Sequence, residues 1–222
     1  MDWSALRVSL WLGVGTILVL LPFGIWFGRV LAYRQFRGKL LVEALVTVPL
    51  VLPPTVLGFY LLVTFGARSP LGRAFQAVVG QTLPFSFEGL LFASAIANIP
   101  FVVQPIQRGF EAIPSDVRDA AACCGLTPWQ RFQRIELPLA WPSVLTAAIL
   151  TFAHTLGEFG VVLMVGGNLP GETRTLSIAI YDRMQAFDDR SAGVMAATLL
   201  VVAVVTLMTT TTLSRQIGSR RA

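Results

Sequence analysis

Long apolar stretches alternate with short polar segments along this chain of 222 residues. A helix needs about 20 consecutive, mostly apolar residues to cross a membrane. Five stretches without Asp, Glu, Lys or Arg reach or approach that length, and they cover residues 8–28, 44–67, 89–107, 137–157 and 191–214. The pattern therefore predicts about five transmembrane helices. A further uncharged stretch, 74–87, is too short to span and is expected at the membrane surface.

Composition supports a membrane location. Hydrophobic residues make up 55% of the chain and charged residues 13%, whereas a soluble domain carries about 25% charged residues. A globule of this size cannot bury so much apolar surface away from water. The formal net charge is +5, but the basic residues flank the apolar stretches instead of forming one patch, which argues against nucleic acid as a partner. We expect an all-α integral membrane protein in contact with lipid.

The distribution of basic residues predicts how the chain is oriented in the membrane. Lys and Arg are enriched in the cytoplasmic loops of membrane proteins. With five crossings, six of the 17 Lys and Arg residues fall on one side and eleven on the other. We therefore expect the N-terminus outside and the C-terminus in the cytoplasm. The eleven residues on the predicted cytoplasmic side are Arg29, Arg34, Arg37, Lys39, Arg108, Arg118, Arg131, Arg134, Arg215, Arg220 and Arg221.

The chain contains two cysteines, Cys123 and Cys124, which are adjacent in the sequence. Adjacent residues do not readily form an unstrained disulfide, and the surrounding sequence lacks metal-ligand spacing. These residues are predicted to be free thiols in a reducing compartment. We expect no metal site and no cofactor.

Several predicted membrane helices contain proline. Pro22 lies in the first stretch and Pro100 in the third, while the second stretch contains Pro49, Pro53 and Pro54. Proline kinks a membrane helix and frees backbone carbonyl groups, and transporters use such broken helices near the middle of the membrane. Pro53 and Pro54 are therefore candidates for a transport pathway or its gate. The alternative is that they only bend the helix, since proline is common in membrane helices.

The segment between the third and fourth stretches, residues 108–138, is polar and is predicted to be cytoplasmic. Ser115 is suited to cap a helix over residues 116–124. Gly125 is suited to end that helix, because glycine adopts the left-handed conformation required there.

A second short helix is predicted after this glycine. Thr127 and Gln130 have the spacing of a capping box, and Pro128 fits the first helical position. Pro138 is expected to end the helix before the fourth crossing. The segment is thus predicted to form two short helices at the membrane surface.

The spacing of residues in this loop resembles a family signature. The residues are Asp119, Ala120, Ala121, Gly125, Ile135, Leu137 and Pro138. Their spacing is similar to the E-A-A-x3-G-x9-I-x-L-P pattern of type I ABC importer permeases, with aspartate where the family has glutamate. The resemblance implies a coupling loop that docks in a groove of a cytoplasmic ATPase subunit and moves with it. Arg118, Arg131 and Arg134 are expected to form ion pairs with that subunit at the rim of the contact.

The chain lacks the G-x-x-x-x-G-K-[ST] motif for binding ATP, because its only lysine, Lys39, is followed by leucine. We therefore expect a transport subunit that is not itself an enzyme. The family resemblance implies one domain over residues 1–222, with its core at about 5–214. It also implies a homodimer, two copies of an ABC ATPase subunit and an extracytoplasmic substrate-binding protein at a bacterial inner membrane.

Three further segments carry a narrower resemblance: P-L-V-L-P-P at 49–54, H-T-L-G-E-F-G at 154–160 and N-L-P-G-E-T-R-T at 168–175. They resemble the molybdate importer permeases. The resemblance implies uptake of an oxyanion, and the last segment favours molybdate. Sulfate permeases share the G-E-F-G element, so a sulfate or thiosulfate permease is the alternative. Tungstate has the same charge and shape as molybdate and is not distinguished from it by these segments.

Glu158 is an ionisable residue at the end of a predicted span, which makes it a candidate for function. His154 lies one helical turn earlier and Thr155 is next to it, and all three are candidates for the pathway or a gate. A carboxylate repels an anion, so we do not expect Glu158 to bind the substrate. The alternative is that Glu158 accepts hydrogen bonds from nearby donors. In the outer loop, Glu172 and Arg174 are candidates for attracting an anion or docking the binding protein.

Two other classes of function fit kinked membrane helices. An ion-driven secondary transporter has inverted repeats or several charges within the membrane, whereas this sequence has no clear internal repeat and essentially one such charge, Glu158. A membrane scaffold without a substrate site is the third alternative. The spacing in the coupling loop favours the ABC permease over both.

Overall fold

The computed structural model describes residues 1–80 and 82–219, and this part of the chain forms α-helices and one π-helical turn without a β-strand. Arg220 and Arg221, which contributed to the predicted orientation, lie outside the described residues. The elements are α1 (Trp3–Tyr33), α2 (Lys39–Val51), α3 (Pro54–Phe65), α4 (Pro70–Val79), α5 (Phe87–Glu111), α6 (Ser115–Cys123), α7 (Pro128–Arg131), the π-helical turn (Phe132–Glu136), α8 (Leu137–Gly157), α9 (Gly160–Gly166), α10 (Leu176–Gln185) and α11 (Asp189–Ser219).

Four helical stretches in the described part of the chain are long and apolar enough to cross a membrane on their own. They match the first, third, fourth and fifth predicted crossings, and α2 and α3 together supply the remaining one. The all-α membrane fold with about five crossings is therefore confirmed. The four stretches are Trp3–Tyr33, Phe87–Glu111, Pro128–Gly157 and Asp189–Thr206.

The second crossing is a broken helix. α2 and α3 meet at a 110° bend beside Pro53, because consecutive prolines remove backbone donors and disfavour helical geometry in the preceding residue. The pair still runs between the two ends of α5. Gln107 of α5 donates a 2.9 Å hydrogen bond to Glu43 of α2, and the ring of Phe92 packs on that of Phe65 in α3. Since Phe92 and Gln107 lie about 22 Å apart along their helix, the broken pair crosses the same layer as α5.

The centre of the fold is the packing of α1, α5 and α8. Leu20, Ile106 and Val144, one from each helix, belong to the same buried cluster. Gly28 allows α1 to approach α5 closely, because a Cβ atom there would lie 3.1 Å from the backbone nitrogen of Gln107. The three helices thus form the rigid body on which the loops are mounted.

The prediction that Pro138 ends the second loop helix is wrong. The backbone stays helical from α7 through the π-helical turn into α8. Pro138 has no N–H group to donate, and just before it the N–H of Leu137 bonds to the carbonyl of Phe132, five residues back. This wider turn accommodates the proline at the start of α8 without breaking the helix.

The end of the fold that holds the N-terminus is closed by α9 and α10. Leu176 and Ala179 of α10 are buried in a cluster with Ala5 of α1 and Met195 of α11. The N–H of Leu176 also donates a 2.8 Å hydrogen bond to the hydroxyl of Ser9. On the same side, α4 has 10 residues, so the uncharged stretch 74–87 does not span, as predicted.

Candidate functional site

The loop over residues 108–138 contains the two predicted helices, α6 and α7. α6 begins at Ser115, so the prediction that Ser115 caps this helix is wrong: Pro114 occupies the N-cap position, and no side chain caps the helix. Gly125 follows the end of α6 with a φ of +76°. Glycine adopts this left-handed conformation without steric cost. The predicted capping box is confirmed: the Thr127 hydroxyl accepts the Gln130 N–H at 3.2 Å, and the Gln130 side chain accepts the Thr127 N–H at 2.9 Å.

The signature residues of this loop divide between two environments. The exposed ones are Asp119, Ala120 and Gly125; the buried or half-buried ones are Ala121, Ile135, Leu137 and Pro138. The exposed group offers a smooth surface with small side chains and one carboxylate. The packed group fixes the loop on the spanning helices.

A buried charge that the sequence analysis did not single out anchors the loop. Glu136, the last residue of the π-helical turn, has a fully buried side chain. Its Oε2 accepts the Nε–H of Arg29 at 2.6 Å, and its Oε1 accepts the Nε–H of Arg131 at 3.1 Å. The Nε of Arg118 lies 3.6 Å from Oε1. One carboxylate therefore joins α1, α6 and α7 at the point where α8 begins.

Arg118 and Arg131 were expected to pair with a partner subunit, and the structure pairs both with Glu136 instead. Their side chains are 27% and 22% exposed, so they are held largely inside the chain. Arg134 is exposed and is free to meet a partner. The sequence signal for this cluster was weak, because Glu136 occupies a position at which the signature accepts any residue.

The breaks in the second and fourth crossings lie side by side. Glu158 and Phe159 separate α8 from α9, and Glu158 has an extended backbone. Gly160, the next residue, packs against the bend between α2 and α3. A Cβ atom at Gly160 would lie 2.8 Å from Cβ of Pro54 and 3.0 Å from the backbone nitrogen of Thr55. The structure thus brings together two candidate groups that the sequence analysis named separately.

A chain of polar contacts leads from α1 to this break. The hydroxyl oxygens of Thr16 and Ser94 lie 3.0 Å apart, and the side-chain amide of Asn98 donates to the carbonyl of Ser94 at 2.8 Å. The amide oxygen of Asn98 lies 3.1 Å from Nδ1 of His154. The His154 ring stacks on Phe101 with ring centroids 4.1 Å apart. The sequence analysis missed Thr16, Ser94 and Asn98, because single polar residues in membrane helices carry no positional pattern.

Glu158 is buried, and one oxygen of its carboxylate accepts a hydrogen bond from a nearby backbone donor. Its Oε1 accepts the N–H of Val161 at 3.0 Å, and its Oε2 lies 3.8 Å from Nε2 of His154. The backbone carbonyl of Glu158 accepts the hydroxyl of Ser177 at 2.7 Å. Glu158 therefore caps the start of α9 and links it to α10. The neighbouring Thr155 is also buried, and among the described residues its hydroxyl has no hydrogen-bond partner.

Arg174 of the outer loop is part of an intramolecular network. Its Nε–H donates to the amide oxygen of Asn168 at 2.6 Å, and its guanidinium lies 3.7 Å from Asp182 and 3.9 Å from Asp2. Burial raises the pKa of Asp2, but hydrogen bonds from Ala5 and Ser4 and the charge of Arg174 together hold that pKa below its ordinary value. Arg174 therefore ties the outer loop to the N-terminal end of α1.

Glu172 lies in a cleft of about 680 Å³ at the same end of the molecule. Arg7 and Trp11 of α1 line one side of this cleft, and Glu88 of α5 lines another. The cleft carries both signs of charge. Such a surface suits a protein partner better than a single small anion.

Comparison with known protein families agrees with this architecture. Residues 21–217 match the family described as the binding-protein-dependent transport system inner membrane component. The chain belongs to this family of membrane permeases.

Individual relatives are permease proteins of molybdenum or sulfate transport systems. The molybdenum transport system permease protein ModB of Azotobacter vinelandii is 45% identical over 206 residues, which cover 93% of this chain and 91% of that protein. ModB of Escherichia coli K12 is 36% identical, with 93% and 89% covered. The sulfate transport system permease protein CysT of Escherichia coli K12 is 31% identical, with 89% and 71% covered.

Solved structures share the fold. A bacterial alginate ABC transporter in complex with an alginate pentasaccharide-bound periplasmic protein has a TM-score of 0.77 at 20% identity, covering 96% of this chain and 78% of that one. An inward-facing structure of the MetNI methionine ABC transporter has a TM-score of 0.70 at 18% identity, covering 97% and 94%.

Proposed function

We propose that this chain is the membrane-spanning permease subunit of an ATP-driven ABC importer that takes up molybdate. The observation that carries the proposal is the 45% identity to a ModB protein over nearly the full length of both chains. The fold supports it, because a single domain of five crossings carries an exposed loop at one end and a docking cleft at the other. In this account residues 1–222 form one permease domain with no bond-making chemistry of its own.

The exposed half of the coupling loop is the contact for a cytoplasmic ATPase subunit. Small residues such as Ala120 let a partner surface approach α6 closely, and Asp119 supplies a carboxylate for a basic group on the partner. Gly125 turns the chain sharply without a side chain in the way. Ile135, Leu137 and Pro138 hold the other half of the loop against the spanning helices. Because the chain lacks an ATP-binding motif, hydrolysis takes place on the partner, with one ATPase subunit per permease.

The transport pathway runs between two copies of the chain, beside the paired helix breaks. Pro53 and Pro54 are exposed although they belong to a membrane crossing, and the side chain of His154 is 34% exposed. A surface of this kind at mid-membrane depth suits the wall of a pathway. Glu158 stabilises this wall from behind, and its carboxylate is already occupied by the N–H of Val161. The gate therefore depends on the geometry of the breaks and not on a charge that binds the anion.

The coupling loop lies in the cytoplasm and the N-terminus lies outside. The arginines of the Glu136 cluster, Arg29, Arg118 and Arg131, are all at the loop end of the fold, as the positive-inside rule requires for the cytoplasmic side. The opposite end carries the cleft with Glu172 and the network of Arg174. A substrate-binding protein docks there and delivers the anion.

A sulfate or thiosulfate permease is the second candidate, because CysT of Escherichia coli K12 is 31% identical over 89% of this chain. The higher identity to ModB proteins favours molybdate. Molybdate and sulfate differ in size. Competition between them for uptake therefore distinguishes a molybdate permease from a sulfate permease.

The test is uptake of radiolabelled molybdate into ATP-loaded proteoliposomes that contain this chain, its ATPase subunit and its binding protein. Excess unlabelled molybdate is expected to abolish the uptake of label, whereas the same excess of sulfate leaves most of it. Equal competition by sulfate would support the second candidate. An absence of any ATP-dependent anion uptake would reject both.

A further inference from the structure

The Glu136 cluster consists of Glu136 with Arg29, Arg118 and Arg131, and it joins segments that are far apart in the sequence. Arg29 belongs to α1 and is 107 residues away from Glu136. Arg118 is in α6, the helix that carries the exposed half of the coupling loop, and Arg131 is in α7. The spanning helix α8 begins at the residue after Glu136. The carboxylate is therefore the one group in this cluster that all three arginines share.

Burial makes the ion pairs of Glu136 energetically costly to break. The side chain of Glu136 is fully buried, and a buried carboxylate that loses its partners carries a large desolvation penalty. The arginines are mostly covered as well. A displacement of one segment therefore either carries the other segments with it or exposes an unpaired charge. The cluster favours the first outcome.

Aromatic contacts extend the cluster to α5. The guanidinium carbon of Arg118 lies 3.7 Å from the centroid of the Tyr33 ring at the end of α1. The Tyr33 hydroxyl donates a 3.0 Å hydrogen bond to the carbonyl of Phe110 in α5. Arg118 thus contacts both the carboxylate and the ring that links α1 to α5. α6 itself packs on α7 and the π-helical turn, and Arg118 connects it to Tyr33 of α1.

We propose that Glu136 is a positioning residue for energy coupling, which makes α1 and α8 follow the movement of α6. This inference rests on the proposed function, in which an ATPase subunit binds α6. The backbone through α7, together with the packing of α6 on α7 and the π-helical turn, connects α6 to α8. The Glu136 cluster adds a second connection, to α1, so that two of the three helices at the centre of the fold move together when the ATPase moves the loop.

A cluster that only stabilises the fold would behave differently. Its loss would lower the melting temperature or the yield of assembled complex. The molybdate transported for each ATP hydrolysed would stay the same in the complexes that do assemble. The ratio of transport to hydrolysis therefore separates a coupling role from a purely structural one.

The experiment compares this ratio in proteoliposomes that contain the full complex, using the wild-type chain, Glu136→Gln, Arg118→Gln and a control. Glu136→Gln keeps the size of the side chain and removes its charge. The control is Arg37→Gln, which removes one exposed arginine from the segment between α1 and α2, outside the coupling loop. Assembly and ATP hydrolysis are measured for each variant.

We expect Glu136→Gln and Arg118→Gln to keep hydrolysing ATP while molybdate transported per ATP falls by at least about fivefold. Arg37→Gln is expected to match the wild type. The double variant Arg118→Gln/Glu136→Gln is expected to lose less than the sum of the two single losses, because the two residues share the contact between them.

An unchanged ratio in an assembled Glu136→Gln complex would overturn the proposal. If Glu136→Gln fails to assemble, the Arg118→Gln variant provides the test, because Glu136 keeps Arg29 and Arg131 as partners in that variant. A wild-type ratio of transport to hydrolysis in Arg118→Gln would also overturn the proposal. Failure of the wild-type complex to transport would instead count against the proposed function.

Discussion

Gly160 packs directly on Pro54, so the break between α8 and α9 touches the bend between α2 and α3. No side chain separates the two backbones at this point. A rearrangement of one crossing therefore displaces the other. This contact links the two interrupted crossings that we assign to the gate.

Replacing Gly160 by alanine is expected to slow molybdate uptake and to lower the free energy of unfolding by about 1–3 kcal/mol, because the added Cβ overlaps Pro54. Uptake rates and thermal unfolding of the purified complex measure both effects. Gly157→Ala is the matched control, since a Cβ atom there meets nothing within 4 Å. Equal behaviour of the two variants would show that the contact with Pro54 is unimportant.

A valine at Gly125 is expected to uncouple ATP hydrolysis from uptake. The φ of +76° disfavours any side chain at this position by about 1–2 kcal/mol. Valine also enlarges the exposed turn that we propose as the contact for the ATPase subunit. The measurement is the molybdate transported per ATP hydrolysed in proteoliposomes.

Gly80→Val provides the control for backbone strain. Gly80 also has a positive φ, +84°, and open space around it, but it follows α4 at the other end of the fold. The Gly80→Val variant is expected to lose a similar amount of stability and to keep the wild-type ratio of transport to ATP hydrolysis. If the Gly125→Val complex transports as much molybdate per ATP hydrolysed as the Gly80→Val complex, the loop has no role in coupling.

The two cysteines offer a test of orientation in the unmodified protein. Cys123 and Cys124 are both exposed at the end of α6, and the chain contains no others. A membrane-impermeant maleimide is expected to label them in inside-out vesicles and not in right-side-out vesicles. Bound ATPase subunit is expected to protect them from the reagent. Labelling of intact right-side-out vesicles would place the coupling loop outside and reverse the topology.

Glu158→Gln is expected to preserve uptake, whereas Glu158→Ala reduces it. The amide oxygen of glutamine can still accept the N–H of Val161, which now bonds to Oε1 at 3.0 Å. Alanine leaves that N–H unpaired and removes a helix cap, which costs about 1 kcal/mol. Uptake and thermal stability are measured for both variants. If glutamine were as harmful as alanine, the negative charge itself would be required.

The local structure of the coupling loop was predictable because its determinants are local. Thr127 and Gln130 are three residues apart, and their capping box forms as their types require. Gly125 follows α6 in the left-handed conformation expected at a helix end. The five crossings were predictable for a similar reason, since each depends on the composition of one continuous stretch.

Contacts between distant segments could not be predicted in this way. The pairing of Arg29 with Glu136 spans 107 residues, and no periodicity links the two positions. The effect of proline also depended on its surroundings. Pro53 and Pro54 produced a 110° bend, whereas Pro138 was accommodated by a π-helical turn. The sequence marks where a helix is weakened, and the packing around that point decides whether it breaks.

The account depends most on the claim that ATP hydrolysis on a separate subunit drives anion uptake through this chain. The direct measurement is molybdate uptake by reconstituted proteoliposomes under two conditions, one with a non-hydrolysable ATP analogue and one with ATP and an ionophore that collapses the proton gradient. We predict that uptake stops in the first condition and continues in the second. Uptake that continues without hydrolysis and stops when the gradient collapses would contradict the account and indicate an ion-driven transporter.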